Sequence, residues 1–182
     1  MCRDLVITAR MLLSIIAVVG ASVMSAPASA LSHEEWVMAF VRFVEWPEPS
    51  VGADNTLVIC QPTALPALDL HGKHVRGVTL QVVRVASPGD VDRCHIFWAL
   101  AQREADWAPW LSALKAKPIL AVGQGAHYCE VGGTICLIMD EKTGVEKFQL
   151  NLDTLSRTGF KVRSQLLRQQ RQRTANNADR LM

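Results

Sequence analysis

The chain has 182 residues, 49% of them hydrophobic, and its formal net charge is only +2. This apolar share is typical of a packed α/β domain and excludes an intrinsically disordered chain. The charge is unevenly placed: residues 161–182 carry six basic side chains and one acidic, whereas residues 31–160 carry 11 basic and 15 acidic. No aromatic residue is interleaved with the basic segment, which favours a solvated helix end with a tail over a nucleic-acid-binding patch.

The first 30 residues have the features of a secretory signal peptide. Arg3 and Arg10 make the start basic, and the apolar run over residues 11–23 is too short to span a bilayer as a helix, which disfavours a membrane anchor. Ala30 ends a small-residue cleavage motif. We therefore predict cleavage after Ala30 and location in the periplasm. A single mature domain should cover residues 31–172, followed by a disordered basic tail over residues 173–182.

The first predicted element of the mature chain is an amphipathic helix. Ser32 and Glu35 have the spacing of a capping box. The apolar residues that recur at helical spacing are Trp36, Phe40, Phe43 and Val44. The helix should end at Trp46-Pro47, because the residue before a proline is pushed out of helical geometry.

Strands and helices then alternate along the middle of the chain. Residues 57–60 and 78–85 are predicted strands, separated by a short helix and loop across residues 61–77, and residues 87–90 break the chain. A third strand over residues 94–100, a helix over residues 106–116 and a fourth strand over residues 118–122 follow. The side chains of that helix that should face inward are Trp107, Trp110, Leu111 and Leu114.

The last third of the domain is predicted to be antiparallel and then helical. Residues 134–139 and 145–152 flank a turn with a glycine and indicate a hairpin. A short helix capped by Asp153 should end at Gly159, and a last helix should begin near Arg163. The whole pattern predicts an α/β fold, a three-layer sandwich with a largely parallel sheet, an antiparallel C-terminal hairpin and two disulfides.

The cysteines that follow the predicted cleavage site are Cys60, Cys94, Cys129 and Cys136. An even number in an oxidising compartment predicts disulfides, and four cysteines allow three pairings. We predict Cys60–Cys94, which would tie two early strands together. We also predict Cys129–Cys136, because Gly132 and Gly133 let the segment between them fold back tightly. Zinc is the competing interpretation, but no Cys-x2-Cys spacing exists and thiolate ligands compete poorly with oxidation in this compartment.

The sequence contains no catalytic signature. It lacks a Gly-x-Ser-x-Gly elbow, a Walker loop and a His-Glu-x-x-His motif, and residues 123–125 lack the third glycine of a dinucleotide fingerprint. Asn151, Asp153 and Arg157 form a polar cluster, but a strand end, a helix cap and an ion pair account for them without chemistry. We therefore predict no catalytic residue, no cofactor and no metal.

Three segments together resemble one family. The sequence Phe40-x-x-Phe43-Val44-Glu45-Trp46-Pro47 resembles the opening motif of YfiR-type domains. Residues 129–138 resemble their Cys-x6-Cys loop and following strand, and residues 148–162 resemble their C-terminal signature. Cys60 and Cys94 fall where this family places a second disulfide. The motif positions in this sequence are Phe43, Trp46, Pro47, Gly132, Gly133, Asn151, Leu152, Asp153, Arg157 and Gly159.

The resemblance implies a function that the composition alone does not. Proteins of this family are periplasmic homodimers that hold an inner-membrane diguanylate cyclase (YfiN-like) inactive by binding its periplasmic region. An OmpA-like outer-membrane lipoprotein (YfiB-like) can sequester them, and the output is cyclic di-GMP and biofilm formation. Such a repressor should have an exposed apolar patch. The alternative, a periplasmic small-ligand sensor, should have a closed pocket with convergent polar groups.

Overall fold

The computed structural model describes residues 31–48, 54–100, 103–141 and 144–181, so the predicted signal peptide lies outside the described residues. The helices are α1 His33–Phe43, α2 Glu104–Leu114, α3 Ala126–Glu130, α4 Leu152–Thr158 and α5 Ser164–Leu181, with a 3-10 helix at Pro88–Arg93. The strands are β1 Val44–Glu45, β2 Thr56–Pro62, β3 His74–Val75, β4 Val78–Val85, β5 Ile96–Trp98, β6 Leu120–Gln124, β7 Ile135–Met139, β8 Glu146–Leu150 and β9 Lys161–Val162. Among the described helices, none is both long and apolar enough to cross a membrane.

A seven-stranded sheet with the order β3-β4-β2-β5-β6-β7-β8 organises the domain. Strands β4, β2, β5, β6 and β7 are parallel, whereas β3 at one edge and β8 at the other pair antiparallel with their neighbours. Strands β1 and β9 form a separate antiparallel pair. The predicted α/β fold, with a largely parallel sheet and an antiparallel C-terminal hairpin, is confirmed.

Two hydrophobic cores lie on opposite faces of this sheet. Ile59 and Ile96 belong to the core that includes side chains of α1, α4 and α5. Their neighbours Cys60 and Phe97 belong to the second core, with side chains of α2 and α3. Successive strand residues point to opposite faces, so a strand covered on both sides is a nearly continuous apolar run. This explains why the central strands were recognisable in the sequence.

Helix α1 begins as predicted and ends earlier than predicted. The Glu35 backbone N–H donates to Ser32 Oγ at 3.2 Å, and the Ser32 N–H donates to Glu35 Oε2 at 2.8 Å, which completes the capping box. The helix ends at Phe43 rather than at Trp46, because β1 begins at Val44 and pairs with β9.

The helix predicted within residues 61–77 does not form. Strand β2 continues to Pro62, and turns then lead to β3. The buried Gln61 side chain donates to the Pro66 carbonyl at 2.6 Å and accepts from the Leu68 N–H at 3.2 Å. The Arg84 guanidinium donates to two further carbonyls of this loop. These side chains form hydrogen bonds with backbone groups of the loop that would otherwise need partners within a helix.

Two other helices also differ from the prediction. Helix α3 holds Cys129, in a segment predicted to be a loop, because five residues are too few for a helical period to appear in the sequence. Helix α5 extends to Leu181, whereas a disordered tail was predicted from residue 173. Residues 164–181 contain no proline or glycine and are rich in good helix formers, so the helix can continue beyond its buried anchor Leu166.

Candidate functional site

Both predicted disulfides are present. The Cys60–Cys94 disulfide joins β2 to the segment just before β5, which begins at Ile96, and its Cα atoms are 5.6 Å apart. Cys129–Cys136 joins α3 to β7, with its Cα atoms 5.8 Å apart. All four side chains lie in the core beneath α2. None of them is a free thiolate of the kind that the zinc interpretation required.

The amino end of α4 is tied to the disulfide-bridged segment by Asn151. Its Oδ1 accepts from the Thr154 N–H at 3.0 Å, and its Nδ2 donates to the Cys129 carbonyl at 2.6 Å. The prediction that Asp153 caps this helix is therefore wrong: Asp153 lies in the first turn, and Asn151 is the cap. An amide accepts from the helix and donates to Cys129 at the same time, whereas an ionised carboxylate can only accept.

The carboxyl end of α4 meets the opening motif. Gly159 has the left-handed conformation predicted for it, with φ of 79°. A Cβ atom at this position would lie 3.1 Å from the Pro47 Cβ. Next to it, the half-buried Trp46 contacts Phe160 edge-on, with the ring centroids 6.0 Å apart. Helix α4 lies within the third family-like segment, and its two ends contact the other two, which are far from it in the sequence.

Two substitutions at α4 should have very different effects on stability. Gly159→Val should lower the free energy of unfolding by about 2 kcal/mol or more, because a β-branched residue resists the left-handed conformation and Pro47 leaves little space. Arg157→Ala removes an i,i+4 ion pair with Asp153. Both side chains of this pair are exposed, Arg157 by 64% and Asp153 by 73%. That loss should be about 0.5 kcal/mol or less.

Urea unfolding of the two variants checks this prediction. Gly159→Asn is the control and should lie between them, because asparagine tolerates positive φ better than valine does. Equal destabilisation by Gly159→Val and Arg157→Ala would mean that the backbone conformation at Gly159 is not what constrains this position.

The two glycines of the disulfide segment have different structural roles. Gly132 adopts a φ of 117°, which favours glycine. Gly133 instead leaves space for Tyr128, because a Cβ atom there would lie 2.7 Å from the Tyr128 carbonyl oxygen and closer still to its ring. Tyr128 is completely buried, and its hydroxyl has no partner among the described residues. Burial raises the pKa of this phenol well above its usual range.

A groove of about 610 Å³ lies between α2 and α4, at the edge of the sheet where β6 and β7 begin. Apolar side chains from α2 and from the start of β6 line its floor: Trp107, Leu111, Leu114, Ile119 and Ala121. The family-motif residues that line the groove are Gly132, Asn151, Asp153 and Arg157. We call this feature the α2–α4 groove; these four of the ten motif positions line it.

Exposed apolar side chains lie beside this groove. Leu152, the first residue of α4, is 72% exposed and is flanked in the sequence by Asn151 and Asp153, which line the groove. Val131, which itself lines the groove, is 45% exposed. Leu152 was a motif position in the sequence, but its exposure could not be predicted from the pattern. An apolar floor with apolar side chains at the rim is the arrangement expected of a protein-binding surface.

Charged side chains at one end of the groove form a bridge that the sequence analysis did not anticipate. His127 lies between two groove-lining carboxylates, with Nδ1 3.1 Å from Glu130 Oε2 and Nε2 3.1 Å from Glu104 Oε1. The carboxylates of Glu130 and Glu104 raise the pKa of His127 above its ordinary value of 6.5. The His127-x-x-Glu130 spacing is a helical one, but it carries a signal only once α3 is known.

The carboxyl end of β2 is occupied by the chain itself. In doubly wound α/β proteins, ligands bind in the crevice at the carboxyl ends of the strands, where the strand order reverses. Here the loop that follows β2 buries Leu65, Leu68 and Leu70, and Gln61 and Arg84 hold its backbone. The usual ligand position of such folds is therefore covered at this strand.

A family model described as YfiR/HmsC-like matches residues 32–169, which is more than half of the chain. A search of curated proteins found no match. The matched range contains all three segments that meet at α4, both disulfides and the α2–α4 groove. The family is a regulatory and non-catalytic one. This chain belongs to the YfiR/HmsC-like family.

Proposed function

We propose that this protein acts in the periplasm as a homodimer that binds the periplasmic region of an inner-membrane diguanylate cyclase and lowers its output of cyclic di-GMP. Membership of the YfiR/HmsC-like family supports this role, because that family points to regulation of cyclic di-GMP signalling. Two buried disulfides fit an oxidising compartment. An OmpA-like outer-membrane lipoprotein is the proposed partner that releases the cyclase.

The observation that carries this proposal is the α2–α4 groove. Its floor is apolar, and Leu152 and Val131 expose apolar surface beside it. Two of the charged side chains along it, Arg157 and Asp153, pair with each other, and two more, Glu104 and Glu130, contact His127. Such a surface suits a protein segment that buries apolar side chains, and we propose that the cyclase docks here.

A small-ligand sensor is the second candidate function. The volume of the groove, about 610 Å³, lies within the range of small-molecule sites, which is about 300–1,000 Å³. Against this candidate, exposed side chains such as Glu104 and Asp153 line the groove, so it is open to solvent. A sensor site would instead enclose its ligand.

A single substitution on the rim of the groove tests the proposed function. Leu152→Asp should weaken binding to the purified periplasmic region of a candidate cyclase by about tenfold or more, because it places a charge where an apolar contact is proposed. The melting temperature should not change, since Leu152 is exposed. Isothermal titration calorimetry measures the affinity, and cellular cyclic di-GMP should rise in a strain that carries the variant.

Met139→Asp is the matched control. Met139 is 58% exposed at the carboxyl end of β7, whereas the groove lies where β7 begins, so its variant should bind like the wild type. If Leu152→Asp and Met139→Asp both bind normally, the groove is not the docking site. If the wild type binds no candidate cyclase and cyclic di-GMP is unchanged, the proposed function itself is wrong.

A further inference from the structure

The contacts of His127 connect helix α3 to the first residue of helix α2, and these two elements differ in how firmly they are anchored. Helix α3 is anchored by the Cys129–Cys136 disulfide and by the Asn151 hydrogen bond to the Cys129 carbonyl. Glu104 is the first residue of α2, and the N-cap position before it has no side-chain capping hydrogen bond. His127 therefore links a covalently anchored helix to a helix end that lacks a cap.

The geometry of the bridge depends on the protonation state of the ring. A neutral imidazole has one N–H donor and one acceptor nitrogen, so it can donate to one carboxylate only. Here both ring nitrogens lie 3.1 Å from carboxylate oxygens, one of Glu104 and one of Glu130. Both contacts are favourable only when the ring carries two protons. Loss of one proton leaves a nitrogen lone pair facing a carboxylate.

Among the described residues, no cation contacts the His127 ring, so none opposes its protonation. Glu104 faces the ring from α2, and Glu130 faces it from α3. A further neighbour from α2 is the Trp107 ring, whose centroid lies 6.0 Å from that of His127. Since both carboxylates raise the pKa of His127, the stabilisation is fully present below about pH 6.5 and is lost as the pH rises through the folded-state value.

We propose that His127 is a proton-dependent clasp that holds the first turn of α2 against α3 at mildly acidic pH and releases it as the pH rises. Because Glu104 and Glu130 both line the α2–α4 groove, the clasp sets how far that end of the groove opens. The inference rests on the proposed function only in assigning this groove to a partner. When the clasp is closed, the groove already has the shape in which it binds its partner.

The clasp is tested on the free mature protein, without any partner. In an NMR titration of the histidine rings, His127 should titrate above pH 6.5, and Glu104→Gln and Glu130→Gln should each lower its midpoint. Amide hydrogen exchange in the first turn of α2, corrected for intrinsic rates, should rise roughly two- to fivefold between about pH 5.5 and about pH 8.5. His127→Gln should abolish this pH dependence.

His71→Gln is the matched control, because His71 is exposed on the loop between β2 and β3 and should leave the exchange profile unchanged. A midpoint for His127 at or below 6.5, or exchange in α2 that is independent of pH, would overturn the proposal. These measurements need no cyclase, so a failed clasp leaves the Leu152 binding result intact. Likewise, a failure of cyclase binding leaves the titration of the clasp intact.

Discussion

Replacing Cys60 and Cys94 with alanine should lower the free energy of unfolding by about 4 kcal/mol, the largest effect we expect from any change in this protein. The bridge spans a sequence separation of 34 residues, and in the chain-entropy picture a loop of this size restricts the unfolded chain by about that amount. A typical domain is stable by only about 5–15 kcal/mol. The melting temperature should therefore fall by more than about 10 °C.

The second disulfide provides the comparison. Cys129→Ala/Cys136→Ala opens a loop with a sequence separation of only 7 residues, so its loss should be smaller, about 2.5 kcal/mol. Urea unfolding of both double variants under identical oxidising conditions gives the two values. If the short-loop variant proves to be the less stable one, native packing around α3 rather than unfolded-chain entropy controls the contribution of these bridges.

Gly133→Ala should be the most damaging single substitution, with a loss of about 3 kcal/mol or more. The added Cβ would overlap the Tyr128 ring and lie 2.7 Å from its backbone oxygen, and a backbone atom in a disulfide-bridged segment cannot move aside easily. Gly89→Ala is the matched control. The nearest atom to its Cβ would be Ser87 Oγ at 3.7 Å, so its effect should stay within about 0.5 kcal/mol.

A double variant identifies the cause of this loss. Tyr128→Leu replaces the ring with a smaller side chain, so in the Gly133→Ala background it should cost much less than it does alone. Urea unfolding of the two single variants and the double variant measures this coupling. If the two effects simply add, the close approach of the Tyr128 ring is not the reason that a glycine is required at residue 133, and the contact with the backbone oxygen of residue 128 is the remaining cause.

The features that could be predicted from the sequence are those whose causes are local. The capping box of Ser32 and Glu35 lies within one turn, and it fixes the start of α1. The central strands were recognisable because they are covered on both faces and therefore read as apolar runs. Gly159 was predicted correctly because the end of a helix needs a residue that tolerates positive φ. The two disulfides followed from the number of cysteines, the expected compartment and the glycines between Cys129 and Cys136.

Features that depend on partners distant in sequence became visible only in the folded chain. Asn151 is the cap of α4, in place of Asp153, because its amide also reaches the carbonyl of Cys129, 22 residues away. The loop after β2 is not helical because the Gln61 and Arg84 side chains satisfy its backbone. The groove and the His127 clasp exist because the fold brings α2 beside α3 and α4. Hydrogen-bond partners and exposed faces are set by which segments meet in space, and a local sequence pattern carries no record of that.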